Sequence, residues 1–247
     1  MANILIIGDI HQKVGRLNDL LKAYESCVDY TVFTGDYFDD FDDNCQEVES
    51  MAVWLRDNLD KPNRVFLCGN HDFQYMLPAG TVYCSGYAGW KREIIESVLD
   101  ESHWSKIGFF HSHKSFVYDT HVNYWFSHAG ITRHWFEHPV IGINTAVIEQ
   151  KIQRTQQAIK GLTHDWGCIW AADRFRGGTY DHGGLLWNDW NNVELFENTT
   201  QVMGHTPHTN IAYMYREDIN ASNINVDTHL QEVIVLNTDT NSFVTLS

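Results

Sequence analysis

The 247-residue sequence predicts an α/β fold, and three observations carry that prediction. Short apolar runs alternate with segments of helical period through the first seventy residues. Each of the first three runs stops at glycine followed by a polar residue, in "GDIH", "GDYFD" and "GNHD". Strand-like runs then fill the last fifty residues, from "TQVMGHTPH" to the end.

"ILIIGD" opens the chain as a buried strand, and Leu17, Leu20, Leu21 and Tyr24 follow at the spacing of one helix face. "YTVFTGD" is the second strand. Val48, Met51 and Leu55, with Trp54 beside them, mark a second helix, and "RVFLCGN" is a third short apolar run. This order implies a mostly parallel sheet with right-handed crossovers, which bind ligands at the carboxyl ends of their strands. The three polar turns should therefore face one crevice. Residues 86–108, helical and aromatic, read as a cap or a flanking layer. "KSFVYDTHVNYWFSHAG" is strand-like, residues 141–173 read as helical, and strands return in "IAYMYRED", "NINVD" and "EVIVLNTDTNSFVTL". No repeat or Pro/Gly-rich linker divides the chain, so one domain over 1–247 with two sheet-forming halves is expected.

The formal charge of −15 repels nucleic-acid phosphates and anionic membranes, so a phosphate-bearing ligand needs a locally positive site, such as bound metal cations. Cys27, Cys45, Cys68, Cys84 and Cys168 form an odd set without a CxxC pair, against a disulfide framework or a structural zinc site. The apolar run at the N-terminus is too short for a signal peptide, and no run approaches membrane-spanning length. A cytoplasmic protein is expected.

Directly after apolar runs stand Asp9 and His11, Asp36 and Asp39, Asn70 and His71, His128 in "FSHAG" and His205 in "VMGHTPH". Oxygen and imidazole donors without thiolate suit manganese, iron or zinc, and this many ligands can hold two ions. Alternation along a strand would let Asp9 and His11 grip one ion together. Asp36 could bridge, and Asn70, His128 and His205 could complete the second ion, leaving His71 for proton transfer. The other histidines, among them His111, His113, His134, His138, His164 and His182, read singly as structural or surface residues. "GDYFDDFDDN" is not a calcium loop, since it lacks the glycine and terminal glutamate that such loops need. The aromatic residues around 83–135 read as core or cap packing.

The series "GDIH", "GDYFD", "GNHD", "HAG", "GHTP" resembles the calcineurin-like metallophosphoesterases, in the expected order over nearly the whole chain. "LLWND" and "NVDT" look like elements of the phosphoprotein-phosphatase branch and its bacterial and phage relatives. The resemblance implies two packed mixed sheets flanked by helices, with a dinuclear centre at their loop edge. It implies that Asp9 and His11 bind the first ion, Asp36 bridges, and Asn70, His128 and His205 bind the second. His71 would be the general acid, oriented by Asp39. The implied reaction is phosphoester hydrolysis by a water bridging two divalent ions, manganese first among them, with iron or zinc as alternatives.

Three positions depart from the family pattern. Gln12 stands where glycine is usual after "GDIH", and Asp40 where the phosphatase branch carries a phosphate-holding arginine. His208 comes one residue later than the second histidine of many wider-family members. A carboxylate facing phosphate is repulsive, so Asp40 is expected to turn to solvent and another cation to serve, with Arg176 or Arg174 favoured over Arg133. Asp42 and Asp43 read as a solvated loop. The expected substrate is a phosphomonoester, a phosphoprotein or a small molecule. The alternatives are hydrolysis of dinucleoside polyphosphates, because "HAG" and "GHTP" also look like diadenosine tetraphosphate hydrolases, hydrolysis of phosphodiesters, and an inactive protein-binding scaffold.

Overall fold

The computed structural model describes residues 2–135, 143–161 and 167–247. His138, His164 and parts of the predicted helical stretch 141–173 lie outside the described residues. The chain begins β1 (Asn3–Ile7), α1 (Val14–Tyr24), β2 (Tyr30–Phe33), α2 (Cys45–Asn58), β3 (Arg64–Phe66), α3 (Asn70–Met76), α4 (Gly89–Val98), α5 (Glu101–Trp104). It continues β4 (His111–Val117), β5 (Thr120–Phe126), α6 (Thr145–Lys160), α7 (Gly167–Trp170), β6 (Thr199–Met203), β7 (Ala212–Arg216), β8 (Ala221–Asn225), β9 (Val233–Asn237) and β10 (Ser242–Leu246).

These strands make two mixed sheets flanked by helices, ordered β10-β9-β1-β2-β3 and β4-β5-β6-β8-β7. In the first, β1, β2 and β3 run parallel, but β9 pairs antiparallel with β1, and β10 with β9. The sheet is thus less parallel than the first seventy residues imply, because strands from the far end of the chain complete it.

β1 is buried on both faces, which is why its sequence is a continuous apolar run. Ile4 and Ile6 pack with Tyr124, Phe126, Val202 and Ile224 of the second sheet. Leu5 and Ile7 pack with the helix residues Leu17, Leu20, Val48 and Leu55. These four β1 side chains have no exposure, and each contributes about 1.5–3 kcal/mol by leaving water. That rigid central strand ends where the first polar turn begins.

"KSFVYDTHVNYWF" is a hairpin, with β4 antiparallel to β5. Tyr118 and Asp119 turn it with φ of 44° and 63°, the two positive values that a tight two-residue hairpin requires. Neither residue is glycine, so the turn carries no strong sequence signal. α2 begins in a capping box in which the Asn44 side chain accepts from the Gln46 and Glu47 amides. The acidic stretch "GDYFDDFDDN" therefore runs straight into a helix cap. No described helix is long and apolar enough to cross a membrane.

Candidate metal centre

The turns after β1, β2, β3, β5 and β6 converge at one edge. The amides of Ile10 and His11 donate to the Asp36 carbonyl at 3.0 and 2.9 Å, and Gln12 N donates to Tyr37 O at 3.0 Å, zipping the first turn to the second. His11, Gln12, Asp36, Asp39 and His205 all hold positive φ, between 42° and 68°. Such backbones cost about 1–3 kcal/mol each in non-glycine residues and persist where surrounding bonds over-determine them. Two glycines make the approach possible: a Cβ on Gly69 would strike the Asp36 carboxylate, and one on Gly204 the Asp9 carboxylate.

Asp9 and His11 converge, but not by strand alternation. β1 stops at Ile7, and the left-handed turn at His11 swings its ring toward Asp36. One ligand atom from each of Asp9, His11 and Asp36 lies within 4.8 Å of the others, and the same holds for Asp36, His128 and His205. Asp36 belongs to both groups. His128 Nε2 is 2.8 Å from Asn70 Oδ1, 3.1 Å from His205 Nδ1 and 3.5 Å from Asp36 Oδ2, so Asn70 joins the second group.

The donor set fits cations. His11 Nδ1 donates to Phe38 O and His128 Nδ1 to Thr34 O, both at 2.9 Å, leaving each Nε2 as a lone pair turned to the carboxylates. Burial lowers the pKa of His11 and of His128, and burial with the neighbouring His128 and Arg176 takes His205 well below the usual range. These three rings are held neutral, the state that coordinates metal. Asp9 is raised well above the ordinary carboxyl value by burial and by the facing Asp227 and Asp36. At Asp36 burial acts upward, but His128, His71 and His11 outweigh it and the pKa is lowered. Lone pairs and carboxylates this dense oppose one another, and a divalent cation between them would offset that repulsion.

Asn70 and His71 are the first two residues of α3, so their side chains leave the helix in different directions. Asn70 turns to His128, while His71 Nδ1 lies 3.5 Å from Asp39 Oδ2. Burial acts to lower the His71 pKa, but Asp36, the Asp39 contact and Cys84 outweigh it and hold the value well above the ordinary one. One edge of the fold thus sets an imidazole whose pKa is raised beside rings whose pKa is lowered, a separation that divides proton donor from neutral donors.

Several residues around this edge had no role assigned from sequence. Asp72 accepts the amides of Asp36, Tyr37 and Gly69, each at 2.8 Å, and ties the second turn to the third. Burial and the Asp36 charge raise its carboxyl, while the Gly69 and Tyr37 amides oppose the rise. Its signal was the last letter of "GNHD". The Cys84 thiol accepts from Asn70 Nδ2 at 3.2 Å and lies 3.5 Å from His71 Nδ1. Nothing local in "VYCSG" marks that contact.

Of the three candidate arginines, Arg176 reaches the cluster: its Nη2 donates to the His205 carbonyl at 2.8 Å. Arg174 pairs with Asp181 at 3.0 Å with its side chain 61% exposed, and Arg133 pairs with Glu194. Asp43 corrects the expectation of a solvated loop. Its side chain is 3% exposed and lies 2.7 Å from Lys91 Nζ. Asp40 is half-buried, and its Oδ1 accepts its neighbour's amide, Phe41 N. His208 stands against Trp190, outside both ligand groups.

The chain is similar in fold to several solved proteins. It shares 16% identity and a TM-score of 0.50 with a protein assigned as a diadenosine tetraphosphatase, covering 99% of this chain and 93% of that one. A Saccharomyces cerevisiae protein serine/threonine phosphatase, similar to human phosphatase PP5, gives 13% identity and a TM-score of 0.50, covering 99% of this chain and 79% of that one. No curated protein sequence matches this chain. The model of the calcineurin-like phosphoesterase family matches residues 2–231, through every turn that bears a candidate ligand, and the chain belongs to that family.

Proposed function

We propose that this protein hydrolyses phosphate monoesters at a pair of divalent cations, manganese first among them. The observation that carries the reading is that Asp36 belongs to both ligand groups, so one carboxylate can serve two ions. Asp9 and His11 would hold the first ion, and Asn70, His128 and His205 the second, with Asp36 between. Bound there, two cations supply Lewis acidity to the phosphoryl oxygens and lower the pKa of attacking water.

The protein's own groups do the rest. His71, held protonated by its surroundings, gives its proton to the leaving oxygen, and Asp39 keeps its ring in orientation. Arg176 has spent one N–H on the His205 carbonyl and keeps the others for phosphate oxygens. The buried floor built from Asp36, Asn70 and His128 excludes bulk water.

A second reading has its own observation. Phe41 and Phe175, 76% and 59% exposed, adjoin Asp40 and Arg176 in the chain and offer faces on which a base could stack. Dinucleoside polyphosphates therefore belong in the test. Protein stripped by a chelator and reloaded with manganese is offered a phosphopeptide, nitrophenyl phosphate, bis-nitrophenyl phosphate and diadenosine tetraphosphate. Turnover of the two monoesters, at least tenfold above the diester and the dinucleotide, is expected. Preference for the dinucleotide selects the second reading, and inertness toward all four selects a protein-binding scaffold.

A further inference from the structure

Lys91, on α4, is a buried lysine at 4% exposure. Its Nζ donates to Gly86 O at 2.7 Å, meets Asp43 Oδ2 at 2.7 Å, and reaches Asp39 Oδ1 and Asp40 O at 3.4 Å each. Gln12 works on the same loop from the other side: Nε2 donates to Asp43 Oδ2 and Oε1 accepts from Asp40 N, both at 2.8 Å. The Asp40 peptide groups are thus held at the N–H by Gln12 and at the carbonyl by Lys91, with Asp43 joining the two arms.

Asp39 directly precedes that clamp, at φ 66°. Its carboxylate accepts from Tyr75 OH at 2.7 Å and from Gln74 Nε2, and the remaining contacts are Lys91 and His71. An ammonium has three protons, and here its acceptors are protein oxygens, with a side chain only 5% exposed. Lys91 is therefore not free to grip a substrate phosphate. Remove it, and Asp39 and Asp43 become two buried carboxylates without their shared counter-ion, which favours turning the loop to water.

We propose that Lys91, clamped with Gln12 onto Asp43, is a positioning residue that holds Asp39 where it orients His71. The proposal rests on the roles of His71 and Asp39 given above. The role falls to a lysine from α4 in a chain whose own loop has Asp40 in place of an arginine.

The test compares manganese-loaded wild type with Lys91→Met and with Lys91→Met/Asp43→Asn, on a phosphoserine peptide. Lys91→Met is expected to lower kcat at least tenfold, with KM within twofold and metal content unchanged. Adding Asp43→Asn removes the unpaired carboxylate yet keeps an oxygen for Gln12, and should restore kcat at least threefold. Lost packing alone would not be mended that way. Unchanged kcat in Lys91→Met, a fall that tracks metal loss, or a double variant no better than the single overturns the proposal. Should Lys91→Met not fold, Gln12→Gly cuts the other arm while relaxing a strained backbone. It should still lower kcat at least threefold, and an unchanged kcat overturns the proposal. A wild type inert on every phosphoester defeats the function reading separately. The clamp is then decided by amide hydrogen exchange over residues 40–44 in Lys91→Met, where lost protection supports it and unchanged protection overturns it.

Discussion

Replacing His71 by asparagine should separate proton transfer from metal binding. The hydrogen bond between this residue and Asp36, common to both groups, is made by the backbone, His71 N to Asp36 Oδ1 at 2.9 Å, so a new side chain leaves it in place. The ring packs edge-on against His11 with centroids 5.2 Å apart, but its polar contacts are Asp39 and Cys84, neither of which belongs to the two ligand groups. Metal content should therefore stay at the wild-type level.

Turnover should not. A positioned general acid contributes about 10²–10⁴-fold, or about 2.7–5.5 kcal/mol of barrier. Against burial, Asp36, the Asp39 contact and Cys84 hold the ring's pKa well above the ordinary value, which favours the protonated form an acid needs. The whole effect is expected where the leaving oxygen is a poor anion, as in a phosphoserine peptide. Nitrophenolate leaves without a proton, so the loss there should be less than about tenfold. Steady-state kcat on both substrates, with metal counted by elemental analysis, measures the difference. Equal losses on the two esters, or a loss matched by missing metal, would falsify the assignment of His71 as acid.

Two further outcomes follow from the same geometry. Asp36→Asn removes the carboxylate common to both groups, so each ion should bind more than about tenfold more weakly, whereas His11→Ala should weaken one. Calorimetric titration with manganese distinguishes two affected sites from one. The depressed pKa of His205 gives metal-free protein a signed pH dependence. Above about pH 6.5 the ring is neutral folded or unfolded; below it the unfolded chain takes up a proton that the folded site refuses. Its contribution is thus present above that pH and is lost as pH falls toward the folded value. His205→Asn, which tolerates the positive φ, should flatten the acid limb by up to about 1.4 kcal/mol per pH unit between pH 6.5 and 5. Parallel urea-unfolding stabilities for the two proteins across that range would refute it.

How much of this site could be read in the sequence depended on how local each contact is. Asp9, Asp36, Asn70, His128 and His205 each follow the buried end of a strand, so apolar run and polar stop stand close together in the chain. The left-handed turn that aims His11 is not visible in residue types, because histidine and Gln12 there give no glycine signal. Nor could the mixed pairing of the first sheet be seen. Its β9 and β10 come from more than two hundred residues downstream and are ordinary hairpin strands in sequence.

The acidic stretch shows why charge is the harder property to read. Five aspartates in a row of loops suggest a solvated face, and Asp42 is indeed exposed. Asp36, Asp39 and Asp43 are closed away, and burying a carboxylate is tolerable where hydrogen-bond donors or a positive group face it. For Asp43 that group is Lys91, from a helix 48 positions along the chain. For Asp39 it is Lys91 together with His71. For Asp36 the facing groups are the imidazoles of His128, His71 and His11, which outweigh burial and hold its pKa down. Asp9 has no described side-chain cation in hydrogen-bond range; it takes the His205 amide and faces Asp36 and Asp227. Of the carboxylates in the two ligand groups, Asp9 is thus the one the protein itself leaves uncompensated, and a divalent cation would supply the missing charge there. Motif spacing points to the same residue, but the counter-ion shortage at Asp9 is an independent reason, and it holds whatever the substrate proves to be.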